Sequence, residues 1–234
     1  MQNRYAGDIG DYVKLALLRA VAAGQKLGVA WYLYPDEGHN SDGRHTAYLG
    51  KSEIWRHLDP ELFDRLQRLV PRTRSVAALE ELGVLQATFS RELLEHGHRA
   101  ASVRSAARAE WFGRTLSALS GCEIVFADPD NGLTDDRPER RAQPRFGKHM
   151  PISEARELAK GRCAVIYHHN SRFRGGHDAE VEHWRRQLGS GTVAIRASAF
   201  SCRTFFVMNP PQAVQSRMEA FAERWSGAKV RLHC

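Results

Sequence analysis

The sequence predicts a three-layer α/β domain with a mostly parallel sheet, and three observations lead there. Short continuous apolar runs, Ile124-Val125-Phe126-Ala127 within "CEIVFAD" and Cys163 to Tyr167 within "CAVIYHH", lack polar alternation. Such runs suit strands covered on both faces. They alternate with segments that carry apolar residues at helical spacing, the pattern of strands and helices wound around one sheet. A chain of 234 residues has room for one large core of this kind.

The elements follow in order. "GDYVKLALLRAVAAG" reads as an N-terminal helix closed by Gly24, with Asp8 in place to cap its first turn. "GVAWYLY" is a strand by its aromatic and β-branched content, and it runs into the polar, glycine-bearing loop "PDEGHNSDGRH". Residues 59–120 read as a helical insertion or subdomain made of "DPELFDRLQRLV", "SVAALEELGVL", "FSRELLEHG" and "SVRSAARAEWFGRTLSALS", with a short strand in "RSVAAL" as the alternative for that stretch. After the strand "CEIVFAD" comes a basic loop, then the helix "PISEARELAKG" and the strand "CAVIYHH". The helix "AEVEHWRRQLG" leads to "TVAIRASAF" and "RTFFVMNP", close enough to form a C-terminal antiparallel hairpin. "PPQAVQSRMEAFAERWSG", with proline at its start, is the last helix and "AKVRLHC" a final short strand. The chain shows neither an internal repeat nor a low-complexity linker, so residues 1–234 are expected to form one domain.

Composition narrows the function classes. No apolar run reaches the eighteen or so residues of a membrane span, and the polar start "MQNRYAGD" is unlike a signal peptide. A cytoplasmic protein is the expectation. Cys122, Cys163, Cys202 and Cys234 are scattered without a C-x-x-C pair, which points to free thiols rather than a cysteine-based zinc site. The 34 Lys and Arg against 27 Asp and Glu leave a formal charge of +7, an excess that favours a polyanionic partner, RNA or DNA.

Four polar clusters stand at element ends. "NRYAGDIGDYVK" holds Tyr5, Asp8, Asp11 and Lys14 around the first helix start. "PDEGHNSDGRH" follows the first strand, where acidic groups can accept hydrogen bonds from a ligand and glycines allow close approach. "DPDNG", Asp128 to Gly132, follows the strand Ile124 to Ala127. It reads either as a turn, since all its residue types favour turns, or as a ligand-facing tip, because open α/β sheets bind ligands beyond the carboxyl ends of their strands. In "YHHNSRFRGG", His168 and His169 leave a strand on opposite faces, so one of the two at most enters a cleft.

"YAGDIGDYVKLALLRAV", then "YPDEGHNSDGRHTAYL", then "FADPDNGL" resembles the bacterial ribosomal RNA adenine-N6 methyltransferase family. That family carries a pattern of the type A-G-N-x-A-D-V-L-K-H, a strand ending in D-T-H-A-G-A-G-x-Y, and the motif D-P-P-Y. Ala6, Gly7, Asp11 and Lys14 match the first pattern. Asp36, Gly38 and Tyr48 fall near the second, and Asp128 and Pro129 match the start of the third. The chain also resembles related methyltransferase-like proteins with G-D-I-G-D near the start and D-P-D-N-G later. Asp130 and Asn131 replace the second proline and the aromatic ring of D-P-P-Y.

The resemblance implies a Rossmann-like three-layer sandwich of the class I methyltransferase type, with S-adenosylmethionine as cofactor and an amino group of a nucleic acid as acceptor. On that reading Asp128 and Asn131 orient the acceptor, the Pro129 carbonyl assists, and Asp130 belongs to the same tip. Lys14 and Tyr5 line the entrance, while Asp36, Glu37, Gly38, His39 and Asn40 hold the cofactor. Asp8, Asp11 and His168 face the substrate. Arg140, Arg141 and Arg145 grip its backbone, and Phe146 offers a stacking face. No metal is expected. Two rival readings stay open. Asp8, Asp11, Asp36, Asp42, Asp128 and Asp130 with His39, His45 and His168 form the oxygen- and imidazole-rich set that a divalent-metal-dependent nuclease or phosphodiesterase needs. A methyltransferase fold that has lost catalysis and only binds a partner is the other.

Overall fold

A computed structural model describes residues 1–37 and 43–234. Among them the strands are β1 (Leu27–Ala30), β2 (Ala87–Ser90), β3 (Ile124–Ala127), β4 (Gly132–Thr134), β5 (His149–Pro151), β6 (Cys163–His169), β7 (Val193–Ala197), β8 (Arg203–Met208) and β9 (Val230–His233). The helices are α1 (Ile9–Val21), α2 (Ser52–Trp55), α3 (Pro60–Leu69), α4 (Val76–Glu81), α5 (Ala101–Ala118), α6 (Pro138–Arg141), α7 (Ile152–Leu158), α8 (Gly176–Leu188) and α9 (Gln212–Arg224). The fold is α/β, with a seven-stranded sheet in the order β2-β1-β3-β6-β8-β7-β9 and a two-stranded sheet of β4 and β5. The pairs β1 with β2, β1 with β3, and β3 with β6 are parallel. β8 runs antiparallel between β6 and β7, and β9 runs antiparallel to β7.

Both faces of the sheet are apolar, so the strands carry continuous hydrophobic runs instead of alternation. Alternate residues enter two separate cores. Val29, Ile124, Phe126, Val165, Phe205 and Val207 pack with α1, α3 and α9 on one face. Ala30, Val125, Ala127, Ile166 and Phe206 pack with α5, α7 and α8 on the other. Each fully buried large side chain contributes about 1.5–3 kcal/mol by leaving water. Cys122 and Cys163 are buried free thiols within these layers.

The segment 59–120 is not purely helical. "QATFS" supplies β2, which pairs in register with β1 from Leu27↔Ala87 to Ala30↔Ser90. "FSRELLEHG" does not form the expected helix, because tertiary partners take its backbone groups. Leu94 N–H donates to the Leu33 carbonyl at 2.7 Å, and the Trp111 indole N–H donates to the Glu92 carbonyl at 3.0 Å. "RSVAAL" is the start of α4, capped by the Ser75 hydroxyl.

β1 leads to β2 on one side of the sheet, and β3 leads to β6 on the other. The strand order therefore reverses between β1 and β3, and their carboxyl ends border a topological switch point.

Candidate functional site

A cavity of about 290 Å³ opens at this carboxyl edge, between the N-terminus of α1 and the tips of β3, β6 and β8. Its wall includes Asp128, Pro129, Asp130 and Asn131, together with Tyr5, Asp8, Asp11 and Lys14. The cluster at the start of α1 and the β3 tip, at least 114 positions apart in the chain, are thus brought together.

α1 builds the floor. Asp8 caps it, accepting from Asp11 N–H at 3.0 Å. Asp11 and Lys14 lie one turn apart on the same face, the spacing at which helical side chains meet. Asp128 shares the face of Ile124 and Phe126, the side on which α1 packs. The Lys14 ammonium therefore bridges Asp11 Oδ1 and Asp128 Oδ2, each at 2.7 Å. The rings of Trp31 and Tyr167 flank it at 5.8 and 5.5 Å, adding cation–π attraction. The other Asp11 oxygen accepts from Gly7 N–H at 2.8 Å.

This packing shifts the charges. Burial opposes the Lys14 ammonium, but the carboxylates of Asp11 and Asp128 overcome it and hold its pKa above the ordinary lysine value. Burial raises Asp128, against the pull of Lys14 and the Met1 ammonium. Burial and the neighbouring Asp11 raise Asp8, with Arg203 opposing. Asp130 goes the other way. Burial would raise it, yet the Met1 ammonium, Gln2 and Lys148 together lower it.

The β3 tip already holds an amine. The Met1 ammonium donates to the Tyr32 and Asp128 carbonyls, each at 3.0 Å, and pairs with Asp130 Oδ1 at 2.7 Å. Asn131 is exposed at the cavity wall. Gly132 follows at φ +85°, and a Cβ there would lie 2.5 Å from the His168 Cα. The tip is thus a tight turn and a cavity wall at once.

Other expected site residues lie elsewhere. Asp36 accepts from Asn3 N–H and its side-chain amide at 2.8 and 2.9 Å. Glu37 binds Lys148, and its carbonyl accepts from Arg4 at 2.8 Å. Both acids clamp the first residues of the chain and do not line the cavity. Gly38, His39, Asn40 and Asp42 lie outside the described residues.

His168 turns to the opposite face, and His169 lines the cavity instead. His168 Nδ1 accepts from Leu133 N–H at 3.0 Å, which leaves Nε2–H to donate to Glu180 Oε1 at 3.1 Å. Glu180 also accepts from Asn170 at 3.0 Å and from the Ser171 hydroxyl at 2.7 Å. His168 ties the end of β6 to α8.

Arg140 and Arg141 are occupied locally, Arg140 by Thr134 at 3.0 Å and Asp135 at 3.4 Å, Arg141 by Asp136 at 3.0 Å. Arg145 is exposed, outside the cavity. Phe146 is no stacking face: it is buried, with the Arg108 guanidinium 5.7 Å from its ring centre. Tyr48 is a core residue stacked on Tyr12 at 5.3 Å, its hydroxyl donating to the Gly7 carbonyl at 3.1 Å.

The structure adds Met1, Tyr167, Ser201 and Arg203 to the wall, and places His45 of the metal set there together with His169. A signal for Arg203 exists in "RTFFVM". With period two it shares a face with Phe205 and Val207, so a charged residue opens a buried face. Phe200 stands beside this wall, 52% exposed at φ 65°, with its ring 5.7 Å from that of His45.

Among the described residues, no group of three or more His, Cys, Asp or Glu is arranged to hold a metal ion. Lys14 is paired with two of the carboxylates of the metal reading, Asp11 and Asp128. No protein-family model matches the sequence. A search of the curated proteins finds no match either.

Proposed function

We propose that the protein is an S-adenosylmethionine-dependent methyltransferase of Rossmann-like, class I type that acts on an amino group of a nucleic acid. The observation that carries this reading is the meeting of "DPDN" with the Asp11–Lys14 pair around one cavity at the switch point. In open α/β sheets that is where nucleotide-like ligands bind.

The residues present fit the cofactor in charge. S-adenosylmethionine supplies an activated methyl group and carries one carboxylate and one ammonium. The cavity offers the carboxylate of Asp8, beside Asp128 and Asp130 that are paired with Lys14 and the Met1 ammonium, and a buried guanidinium, that of Arg203. Asn131, exposed on the wall, orients the acceptor amine. Lys14 donates to Asp128 and to Asp11 at once and ties the tip to α1, which preorganises it. Transfer to an amine then depends mainly on positioning. The formal charge of +7 and the exposed ring of Phe200 support a nucleic-acid acceptor, the first by attracting phosphates and the second by stacking.

A specific observation supports a second reading, a methyltransferase fold that only binds a partner. The Met1 ammonium, itself an amine, already sits at the β3 tip on the Asp128 carbonyl and Asp130, next to where an acceptor amine would bind.

Calorimetry with S-adenosylmethionine, followed by transfer of labelled methyl groups to RNA and DNA in EDTA, tests the proposal. Binding and EDTA-resistant transfer support catalysis. Binding without transfer favours the second reading. Absence of binding at millimolar cofactor ends the catalytic reading and leaves the fold that only binds a partner, and metal-dependent nucleic-acid cleavage would replace both with the nuclease.

A further inference from the structure

Arg203 opens β8 at the same edge as the cavity and forms part of its wall. The residue is 3% exposed. Its Nη2 donates to the Ser201 hydroxyl, while Nε and Nη1 are buried without any hydrogen-bond partner. Among the described residues no carboxylate forms an ion pair with it. Asp8, the N-cap of α1, is attracted by Arg203 through space, but its Oδ1 accepts from the Asp11 N–H at 3.0 Å and it makes no hydrogen bond with the guanidinium nitrogens. Buried guanidinium groups are ordinarily paired, because an unpaired charge away from water is costly.

The local backbone is shaped around this group. A Cβ on Gly10 would come within 3.1 Å of the Arg203 Cζ and 3.3 Å of its Nε. The absent side chain at Gly10 lets the guanidinium rest over the first turn of α1, a thirteen-residue helix. The positive end of that helix adds to the field of the guanidinium. A buried guanidinium with two unpartnered nitrogens, a helix start and a cavity coincide here.

We infer that Arg203, with Ser201 beside it, anchors an oxyanion-binding subsite in the cavity wall. Two sources share the chemistry, the carboxylate of a cofactor or a phosphate of a nucleic acid. The 3% exposure of Arg203 favours the first, since a polymer backbone needs an open surface. On the methyltransferase reading, on which this assignment of the source rests, the group is the carboxylate of the cofactor's methionine part.

The test uses the full chain as wild type, Arg203→Met and Arg203→Lys, with thermal melting and calorimetry as readouts. Inorganic phosphate probes the subsite alone. S-adenosylhomocysteine and 5′-methylthioadenosine, which lacks the amino-acid part, probe the source. Phosphate should raise the melting temperature of wild type and not of Arg203→Met. Arg203→Met should bind S-adenosylhomocysteine about 10- to 100-fold more weakly, as expected for a lost charge-assisted hydrogen bond, and methylthioadenosine equally well. If Arg203→Met fails to fold, Arg203→Lys carries the same comparison, with a smaller loss confined to the ligand that has the carboxylate. Phosphate stabilisation that depends on Arg203, without any binding of S-adenosylhomocysteine to wild type, supports the subsite and removes the methyltransferase reading. Loss of oligonucleotide binding in Arg203→Met with unchanged S-adenosylhomocysteine affinity overturns the carboxylate assignment. Equal responses of wild type and both variants to phosphate and S-adenosylhomocysteine overturn the subsite itself.

Discussion

The Lys14 ammonium lies 2.7 Å from Asp128 Oδ2, although the two residues are 114 positions apart in the chain. The pair joins the first helix to the tip of the central strand and closes the floor of the cavity. Lys14→Met would leave Asp11 and Asp128 as buried carboxylates without their counter-charge. Breaking a buried ion pair from one side costs about 3–5 kcal/mol. Urea unfolding should show a loss of that size, and Asp128→Asn, which leaves Lys14 paired with Asp11, a smaller one. A Lys14→Met protein as stable as wild type would mean that the pair does not hold the floor.

Asn131 makes the sharper test of the tip, since it is exposed and contributes little to the core. Removing a polar group that acts in the transition state lowers turnover by roughly two to four orders of magnitude. Asn131→Ala should show that loss with an unchanged melting temperature. Wild-type turnover of labelled methyl groups in Asn131→Ala would remove this residue from the site.

Gly132 is a backbone requirement of the same turn. Its φ is +85°, and an added Cβ would meet both the ring and the Cα of His168, at 2.4 and 2.5 Å. The left-handed conformation costs a residue with a Cβ about 1–2 kcal/mol, and the collision with backbone adds to it. Gly132→Ala should lower stability by about 3 kcal/mol or more, read from denaturant midpoints. A shift below about 1 kcal/mol would show that β4 can move off β6 freely.

Glu180 should shape the acid limb of stability. Burial opposes its ionised form, but hydrogen bonds from His168, Ser171 and Asn170 bring its pKa from 4.5 down to about 2. A folded-state value below the unfolded one stabilises the protein above pH 4.5, and that contribution disappears as the pH falls towards 2. Asp8 and Asp128, raised by burial, act in the opposite sense, because their protonation relieves the folded state. Glu180→Gln should therefore flatten the loss of stability between pH 4.5 and 2, by on the order of 2 kcal/mol. Melting curves across that window check it, and parallel pH profiles for the two proteins would refute it.

Phe200 tests the acceptor class. Its ring is 52% exposed beside the cavity wall, and the residue adopts φ 65°, a conformation that costs a bulky side chain energy. Alanine in place of a base-stacking aromatic weakens binding by about 1–3 kcal/mol per base. Phe200→Ala should weaken single-stranded oligonucleotide binding by that amount and leave the melting temperature unchanged or higher. Unaltered oligonucleotide affinity would leave the exposed ring without a nucleic-acid role.

The alternation of apolar runs with amphipathic helices determined the α/β class, and it placed "DPDNG" and "YHHN" at strand ends. The Asp8 cap was legible too, because capping is a local hydrogen bond between near neighbours. β2 was not: it is four residues long, only partly buried at the sheet edge, and its backbone pairing with β1 is a long-range contact. Period two also fixes which strand residues share a face, Asp128 with Ile124 and Phe126, His169 with Tyr167, Arg203 with Phe205. Which of the two faces carries α1, and with it Lys14, is a matter of tertiary packing alone. That choice brings Asp128, His169 and Arg203 to the cavity and turns His168 away to Glu180. The physical reason is that a strand buried on both sides has two nearly equivalent apolar faces, and nothing within its own few residues distinguishes the helix that will cover each.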